Sequence, residues 1–246
     1  IVLRNMRLDG NRTNQTSAVG DGPGQSCVSF INCTYCAADT LWCESPFLHG
    51  IDFAPRSVSG NPQNDPGCSY CIAINCEASD FGDDGITTHY SQCITVIGCR
   101  MHDAAGSYSG SSNGIEFDDG SSYCTATSCV ATDTVFGYVC QDHSGRPAAH
   151  SCSFTNCEVI GSTSAGFFLS ANAAASAYGY DCTIIGGLAK DCGGPAVRVQ
   201  HYTNTVVDGL VVQGCLRALD TATSTVAAAT GPIWFRGIIR DSGSFN

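Results

Sequence analysis

Side chains able to move protons are concentrated in two short segments of this sequence. They are Asp83-Asp84-Gly85-Ile86-Thr87-Thr88-His89 and Asn113-Gly114-Ile115-Glu116-Phe117-Asp118-Asp119, with Asp52 upstream and Gln141, Asp142, His143 and Arg146 downstream. Carboxylates brought close together repel, and the repulsion raises the pKa of one member. That is how one side-chain type supplies both a general acid and a general base. Glu116 is the expected acid, because Asp118 in its own segment and Asp84 in a neighbouring one penalise its charged form. Asp84 or Asp118 then stays ionised to activate water. His89, oriented by Asp118, is expected to share the base role or to bind a phosphate or sugar hydroxyl.

Positioning these groups requires a repeated element. The two segments are copies of one pattern, seen also in His49-Gly50-Ile51-Asp52-Phe53, Phe136-Gly137-Tyr138-Val139-Cys140-Gln141, Ala165-Gly166-Phe167-Phe168-Leu169-Ser170 and Pro195-Ala196-Val197-Arg198-Val199-Gln200. After each small residue the first and third positions are mostly apolar while the second and fourth vary, the alternation of a strand with one buried face. The small residues stand at 50, 85, 114, 137, 166 and 196, steps of 35, 29, 23, 29 and 30. Steps of that size mark a solenoid or a propeller, and a propeller blade needs four strands, more than such a repeat holds.

A second pattern alternates with the first: Cys27 to Cys33, Cys71 to Cys76, Cys93 to Cys99, Cys124 to Cys129, Cys152 to Cys157, Cys182 to Gly187 and Asn204 to Gly209, with Ile1 to Asn11 as an opening copy. Its next-to-last residue is Asn32, Asn75, Gly98, Ser128, Asn156, Gly186 or Asp208, types that suit a corner. The expected fold is all-β: a single-stranded, right-handed parallel β-helix, a pectate-lyase-like solenoid of about eight coils. One elongated domain over 1–246 is expected, ending in a last coil or cap over 226–246. Pro55 to Gly67 and Ala104 to Asn113 read as loops framing a groove, and an Ala-rich piece spans Thr221 to Thr230.

Stacking the first pattern in register places Asp52, Thr87, Glu116, Val139, Phe168 and Arg198 in one outward column. Ala54, His89, Asp118, Gln141, Ser170 and Gln200 fall in a parallel one, coils about 4.8 Å apart. Strand interiors disfavour Asp, and the polar run stops at Val139. The bland alternative is a solvated face with Asp-Gly corners. His102, His150 and His201 lack such neighbours and read as surface or corner residues. Trp42 and Phe47 fit either a sugar-stacking platform or core.

With 22 acidic and 11 basic residues, a formal net charge of −11 and 13% charged residues, no basic patch is available for a phosphate backbone, and nucleic acid is excluded as a partner. The sequence has no apolar run of membrane-spanning length and no leader layout. The expectation is a soluble chain, a fragment of something longer, with no membrane partner. Of the seventeen cysteines, ten form five pairs at five- or six-residue separation that flank strands, which would hold each pair's ends roughly 16 to 20 Å apart, beyond disulfide reach. Bridges between coils and buried free thiols both remain. Cys33 with Cys36 and Cys68 with Cys71 do not make a zinc spacing.

Gly82 to Ser91 followed by Asn113 to Ser121 resembles the pectate-lyase-like β-helix domain of tailed-phage pre-neck appendages and tailspikes, over about residues 45 to 160. The resemblance implies a homotrimeric virion tail component that binds and cleaves a bacterial surface polymer, a capsular or lipopolysaccharide glycan or a wall teichoic acid. It implies substrate contacts from Asp52, Asp83, Thr87, Asp119, Gln141, His143 and Arg146. Where the family carries a Gly-Gly-Ile-Glu-Ile-Lys type of strand before a histidine, this chain has Phe136 to Asp142 before His143, keeping the histidine without the acid and the lysine. Folding in the host's reducing cytoplasm then favours free thiols. A catalytically silent adhesin is the first alternative. The second is a secreted bacterial lyase or epimerase, which would call on Arg56, Arg146 or Arg198 and a calcium ion. No cofactor or metal is otherwise expected, a divalent cation such as calcium excepted.

Overall fold

A computed structural model describes residues 1–15, 25–56, 66–105, 112–143, 145–171, 179–221 and 233–240. Among these there is no α-helix, and every pairing between named strands is parallel. The chain coils as a right-handed parallel β-helix, as its alternating patterns predict.

Each full coil carries three strands, not the two patterns legible in the sequence. One sheet stacks eight strands: Val28–Ile31, Ile51–Ala54, Asp84–His89, Asn113–Asp118, Phe136–Cys140, Ala165–Ser170, Pro195–Gln200 and Arg217–Asp220. The other sheet holds two columns. One runs through Ile72–Ile74, Thr95–Ile97, Thr125–Thr127, Ser153–Thr155 and Thr183–Ile185, the second through Glu77–Ser79, Arg100–His102, Val130–Thr132, Glu158–Ile160 and Leu188–Lys190. Ala37–Glu44 and Thr205–Gln213 are long enough to pair with both columns. The second column escapes a periodicity reading because each of its strands has three residues with one inward side chain, among them Ala78, Met101, Ala131, Val159 and Ala189.

The Cys27 to Cys33 segment is also reassigned. Val28–Ile31 pairs with Ile51–Ala54 in the eight-stranded sheet, because its inward Val28 and Phe30 continue that sheet's apolar file and Phe30 stacks on Phe53 at 5.1 Å.

Left-handed corners separate the two short columns: Asn75, Gly98, Ser128, Asn156 and Gly186 have φ between 50 and 66°, the conformation that Asn and Gly adopt at least cost. In the following coil Gly209 (φ 73°) takes this place instead of Asp208, with a register shift between Asp208 and Leu210. Beside these corners Cys76, Cys99, Cys129 and Cys157 direct their thiols at the carbonyls two residues earlier, 3.4 to 3.6 Å away. All seventeen cysteines are free, and only Cys27, Cys33 and Cys93 are not fully buried. They serve as small apolar core groups with a weak donor.

The small residue of the first pattern is small for a packing reason. A Cβ on Gly85 would stand 2.3 Å from Met101 Cγ, and one on Gly114 would stand 2.5 Å from the Gly137 carbonyl oxygen. Of the expected terminal coil over 226–246, Ile233–Arg240 pairs in parallel with Thr205–Gln213. The remainder, the Ala-rich piece beyond Thr221 and most of the two expected loops (57–65 and 106–111) lie outside the described residues.

Candidate functional site

The eight-stranded sheet positions the polar groups by register. Asp52 pairs with Thr87, Thr87 with Glu116, Glu116 with Val139, and Asp118 with His89. Ile51, Phe53, Ile86, Ile115 and Phe117 anchor these strands inward, so alternation turns Asp52, Thr87, Glu116 and Asp118 to the opposite side. That side is not the solvated face allowed for above: Asp52, Asp84, Thr87, His89, Glu116, Asp118 and Asp119 are all buried.

Two connected clusters result. In the first, Asp84 and Glu116 on adjacent coils share a hydrogen bond. Burial raises both well above the usual carboxylate range, helped at Asp84 by the charges of Asp83 and Asp118 and at Glu116 by those of Asp84, Asp118 and Asp83. With both carboxyls raised, the pair is disposed to keep a proton. Glu116 Oε1 accepts from Asn113 Nδ2 at 3.1 Å and from the Gln141 amide, and Thr87 Oγ1 donates to Oε2 at 3.4 Å. With two amide donors on Oε1, Oε2 is the oxygen that would carry a proton.

In the second cluster Asp119 is held by the Arg146 guanidinium, by the His143 backbone N–H at 2.9 Å and by His143 Nδ1 at 3.2 Å. His143 Nδ1 also lies 2.8 Å from Asp118 Oδ2, and His89 Nδ1 lies 3.5 and 3.6 Å from Asp118 and Asp119. Burial would raise the Asp119 carboxyl, but His143 and His89 pull it well below its ordinary range. Burial likewise opposes charge on His89, and the two aspartates overcome it, lifting His89 well above 6.5. Asp118 and Asp119 push His143 up to about 11. Three cations, His89, His143 and Arg146, thus face two aspartates. His143 is the exposed member, its side chain 45% accessible.

His49, which the strand alternation does not single out, also reaches the site. It precedes the small Gly50 as Asp84 precedes Gly85 and Asn113 precedes Gly114, and that shared place in the repeat was its signal. Its Nδ1 is 3.3 Å from Asp84 Oδ2, and its ring lies 6.1 Å from that of His89, which lies 6.5 Å from that of His143. Asn113, another unforeseen partner, occupies the same column. Donor atoms of His49, Asp83 and Asp84, and of His89, Asp118 and Asp119, fall within 4.8 Å of one another, the size of a divalent-cation cage. The second set is already offset by His143 and Arg146.

Downstream the site ends at an apolar wall. Val139 is buried, Phe136 and Phe168 stack at 4.7 Å, and Arg198 lies over Phe168 while reaching Asp220 at 3.5 Å. Trp42 is not brought to the site. It sits on the other sheet with Arg7 over its ring at 4.1 Å.

The family described as right handed beta helix region matches residues 57–186, more than half of the chain. The pre-neck appendage protein of Bacillus phage phi29 is 34% identical over 160 residues, covering 62% of this chain and 18% of the relative. The chain therefore spans about a fifth of the length of the curated relatives it matches. Among solved structures, pre-mature bacteriophage phi29 gene product 12 aligns with a TM-score of 0.62 at 22% identity, covering 88% of this chain and 36% of that one. A tailspike protein mutant of E. coli bacteriophage HK620, in complex with a hexasaccharide, aligns with a TM-score of 0.55 at 10% identity, covering 85% and 41%. At these identities the two structures speak for the fold.

Proposed function

Because the chain belongs to the right-handed β-helix family, with phage pre-neck appendage proteins among its relatives, we propose that it is part of a virion-borne depolymerase of a bacterial surface polymer. The observation that carries this reading is the buried Asp84–Glu116 pair, both of its carboxyls raised well above their ordinary range; in this reading the pair holds one proton, on Glu116. In hydrolysis Asp84, ionised, takes a proton from the attacking water, and Glu116 gives its proton to the leaving oxygen. The pair again holds one proton, now on Asp84, and transfer along the hydrogen bond restores the starting state. Asn113 and Gln141 orient Glu116, and Thr87 flanks it.

The second cluster supports an anionic polymer, a teichoic acid or an acidic glycan. His143 and Arg146, next to Asp118 and Asp119, present cationic donors able to meet a phosphate or carboxylate in a chain whose formal net charge is −11. A fragment of a homotrimeric tailspike, folded in the host cytoplasm, is the assembly this reading carries; a virion appendage accords with the relatives' names, and free thiols accord with a reducing compartment. The test is incubation with teichoic acids, capsular glycans and lipopolysaccharide, followed by sizing of the products. Shortened chains from one class support cleavage.

One observation favours a second reading, an adhesin on the same scaffold. Glu116 is only 3% exposed, and binding without cleavage would need no access to it. Retention of one polymer class at its full length would establish that reading.

A further inference from the structure

Away from the acidic clusters, the corner that follows the eight-stranded sheet carries a file of aromatic side chains. Isolated parallel bridges join Thr34, Ser69, Gln92, Ser122 and His150 on five successive coils. The next residues, Tyr35, Tyr70, Cys93, Tyr123 and Ser151, are all left-handed, with φ of 54 to 56°. Bulky side chains seldom occupy that conformation, and Asn, Asp or Gly would fill it with less strain. Elsewhere in the fold comparable corners do use Asn and Ser, so tyrosine here is not what the backbone prefers. Strain of this kind points to a use for the side chain.

The tyrosines are also exposed where an apolar group would ordinarily be covered: Tyr35 is 74%, Tyr70 54% and Tyr123 56% accessible. Tyr35 and Tyr70 stack at 5.4 Å, Tyr123 meets His150 edge-on at 6.1 Å, and Tyr180, 40% accessible, stacks on His150 at 4.5 Å. Partial burial lowers the His150 pKa, so the imidazole joins the file as a neutral ring. Only the Cys93 coil interrupts it, placing Tyr70 and Tyr123 two coils, about 10 Å, apart.

Beside this file lies a cleft of about 350 Å³, lined by Asn32, Thr34, Ser69, Tyr90, Gln92 and Ser122 among others. No carboxylate, guanidinium or ammonium group lines it among the described residues. Thr34 Oγ1 and Ser69 Oγ are 3.2 Å apart, and the exposed Gln92 amide adds two donors and an acceptor. Flat aromatic faces bind the C–H face of a pyranose, while hydroxyl and amide groups bind its hydroxyls. An uncharged wall selects for an uncharged sugar.

We propose that the Tyr35, Tyr70 and Tyr123 file and the adjoining hydroxyl- and amide-lined cleft form a second binding site, separate from Glu116, for neutral pyranose units of a glycan. It holds sugar without cleaving it, so it does not rest on the depolymerase reading. The full chain is titrated by calorimetry with cellohexaose and chitohexaose. At least one should bind with a dissociation constant of about 1 mM or tighter. Tyr70→Asn and Tyr123→Asn should weaken that binding about tenfold or more without lowering the thermal midpoint, because Asn suits a left-handed corner. Glu116→Gln should bind the hexamers as the parent does.

Three results would overturn the proposal. The parent could bind neither hexamer, or the tyrosine variants could bind as the parent does while Glu116→Gln does not, which would move the sugar to the acidic site and leave the depolymerase reading standing. Alternatively, the tyrosine variants could reduce the sedimenting mass with sugar binding unchanged, which would make the file a contact between copies of this chain.

Discussion

Asp84 and Glu116 are both buried on adjacent coils, Asp84 in register with Asn113, whose amide donates to Glu116 Oε1 at 3.1 Å, and the rest of the site can be ordered by its relation to that pair. Asp83 and Asp118 add to the rise of both carboxyls, while His143 and His89 depress Asp119. One sheet thus carries a raised carboxyl pair and an ion-paired cluster, and within the cluster His143 and Asp119 respond to pH in opposite directions.

The second cluster should hold its charge far above the ordinary imidazole range. A pKa raised to about 11 means that the stabilisation from His143 is fully present below about pH 6.5 and is lost progressively as the pH rises from there through about 11. The depressed Asp119 contributes in the opposite sense, with stability present above about pH 4 and lost as acid protonates it. The expected outcome is an imidazole NMR signal for His143 still in its protonated position at pH 9. Titration near 6.5 would show that the contacts to Asp118 and Asp119 do not persist in solution.

Thiol chemistry tests the core. Under native conditions only Cys27, Cys33 and Cys93 have partial exposure, so a thiol reagent should modify about three groups quickly. In denaturant without reductant it should modify nearly all seventeen. Fewer than half reacting in denaturant would mean that bridges form between coils.

How far the sequence reaches is clear from these elements. The pairing register of Asp52, Thr87, Glu116 and Val139 was legible because period-two alternation leaves a strand one way to bury Ile51, Ile86 and Ile115. The strands holding Ala78, Met101 and Ala131 were not, since three residues with one inward side chain make no period. Nor was the burial of Glu116, which depends on what surrounds the sheet and not on the strand's own pattern. His49 and Asn113 lay one place before the alternation starts, outside the positions that a strand reading inspects.

The inward glycines give a packing test. A methyl group on Gly114 would meet the Gly137 carbonyl oxygen at 2.5 Å and Ala131 Cβ at 2.7 Å, and neither is the free end of a flexible side chain. Gly114→Ala should destabilise the coil by about 1–3 kcal/mol, the usual cost of overpacking, read as a lower denaturation midpoint. Gly145→Ala, with nothing within 4 Å but a φ of 83°, separates backbone strain from crowding. An unchanged midpoint for Gly114→Ala would show that the coils can spread.

The sharpest test is Glu116→Gln, because it separates chemistry from stability. Gln copies the protonated acid: its Oε1 can still accept from Asn113 and Gln141, and its amide can still donate to Asp84. What it lacks is a proton to give, so turnover on the susceptible polymer should fall at least about a hundredfold, with binding retained. Stability should move the other way. Raised carboxyl pKa values give the parent stability that is fully present below about pH 4 and is lost as the pH rises through the folded-state values. Removing one of the two titrating groups should shrink that loss, so the thermal midpoint of Glu116→Gln should fall less between pH 5 and 8 than the parent's. Asp84→Asn should also lose turnover, since water then has no ionised acceptor. If both variants cleave at the parent rate, the pair is not the catalytic centre. If Glu116→Gln instead shows the parent's full decline in midpoint with pH, the proton is not held on Glu116.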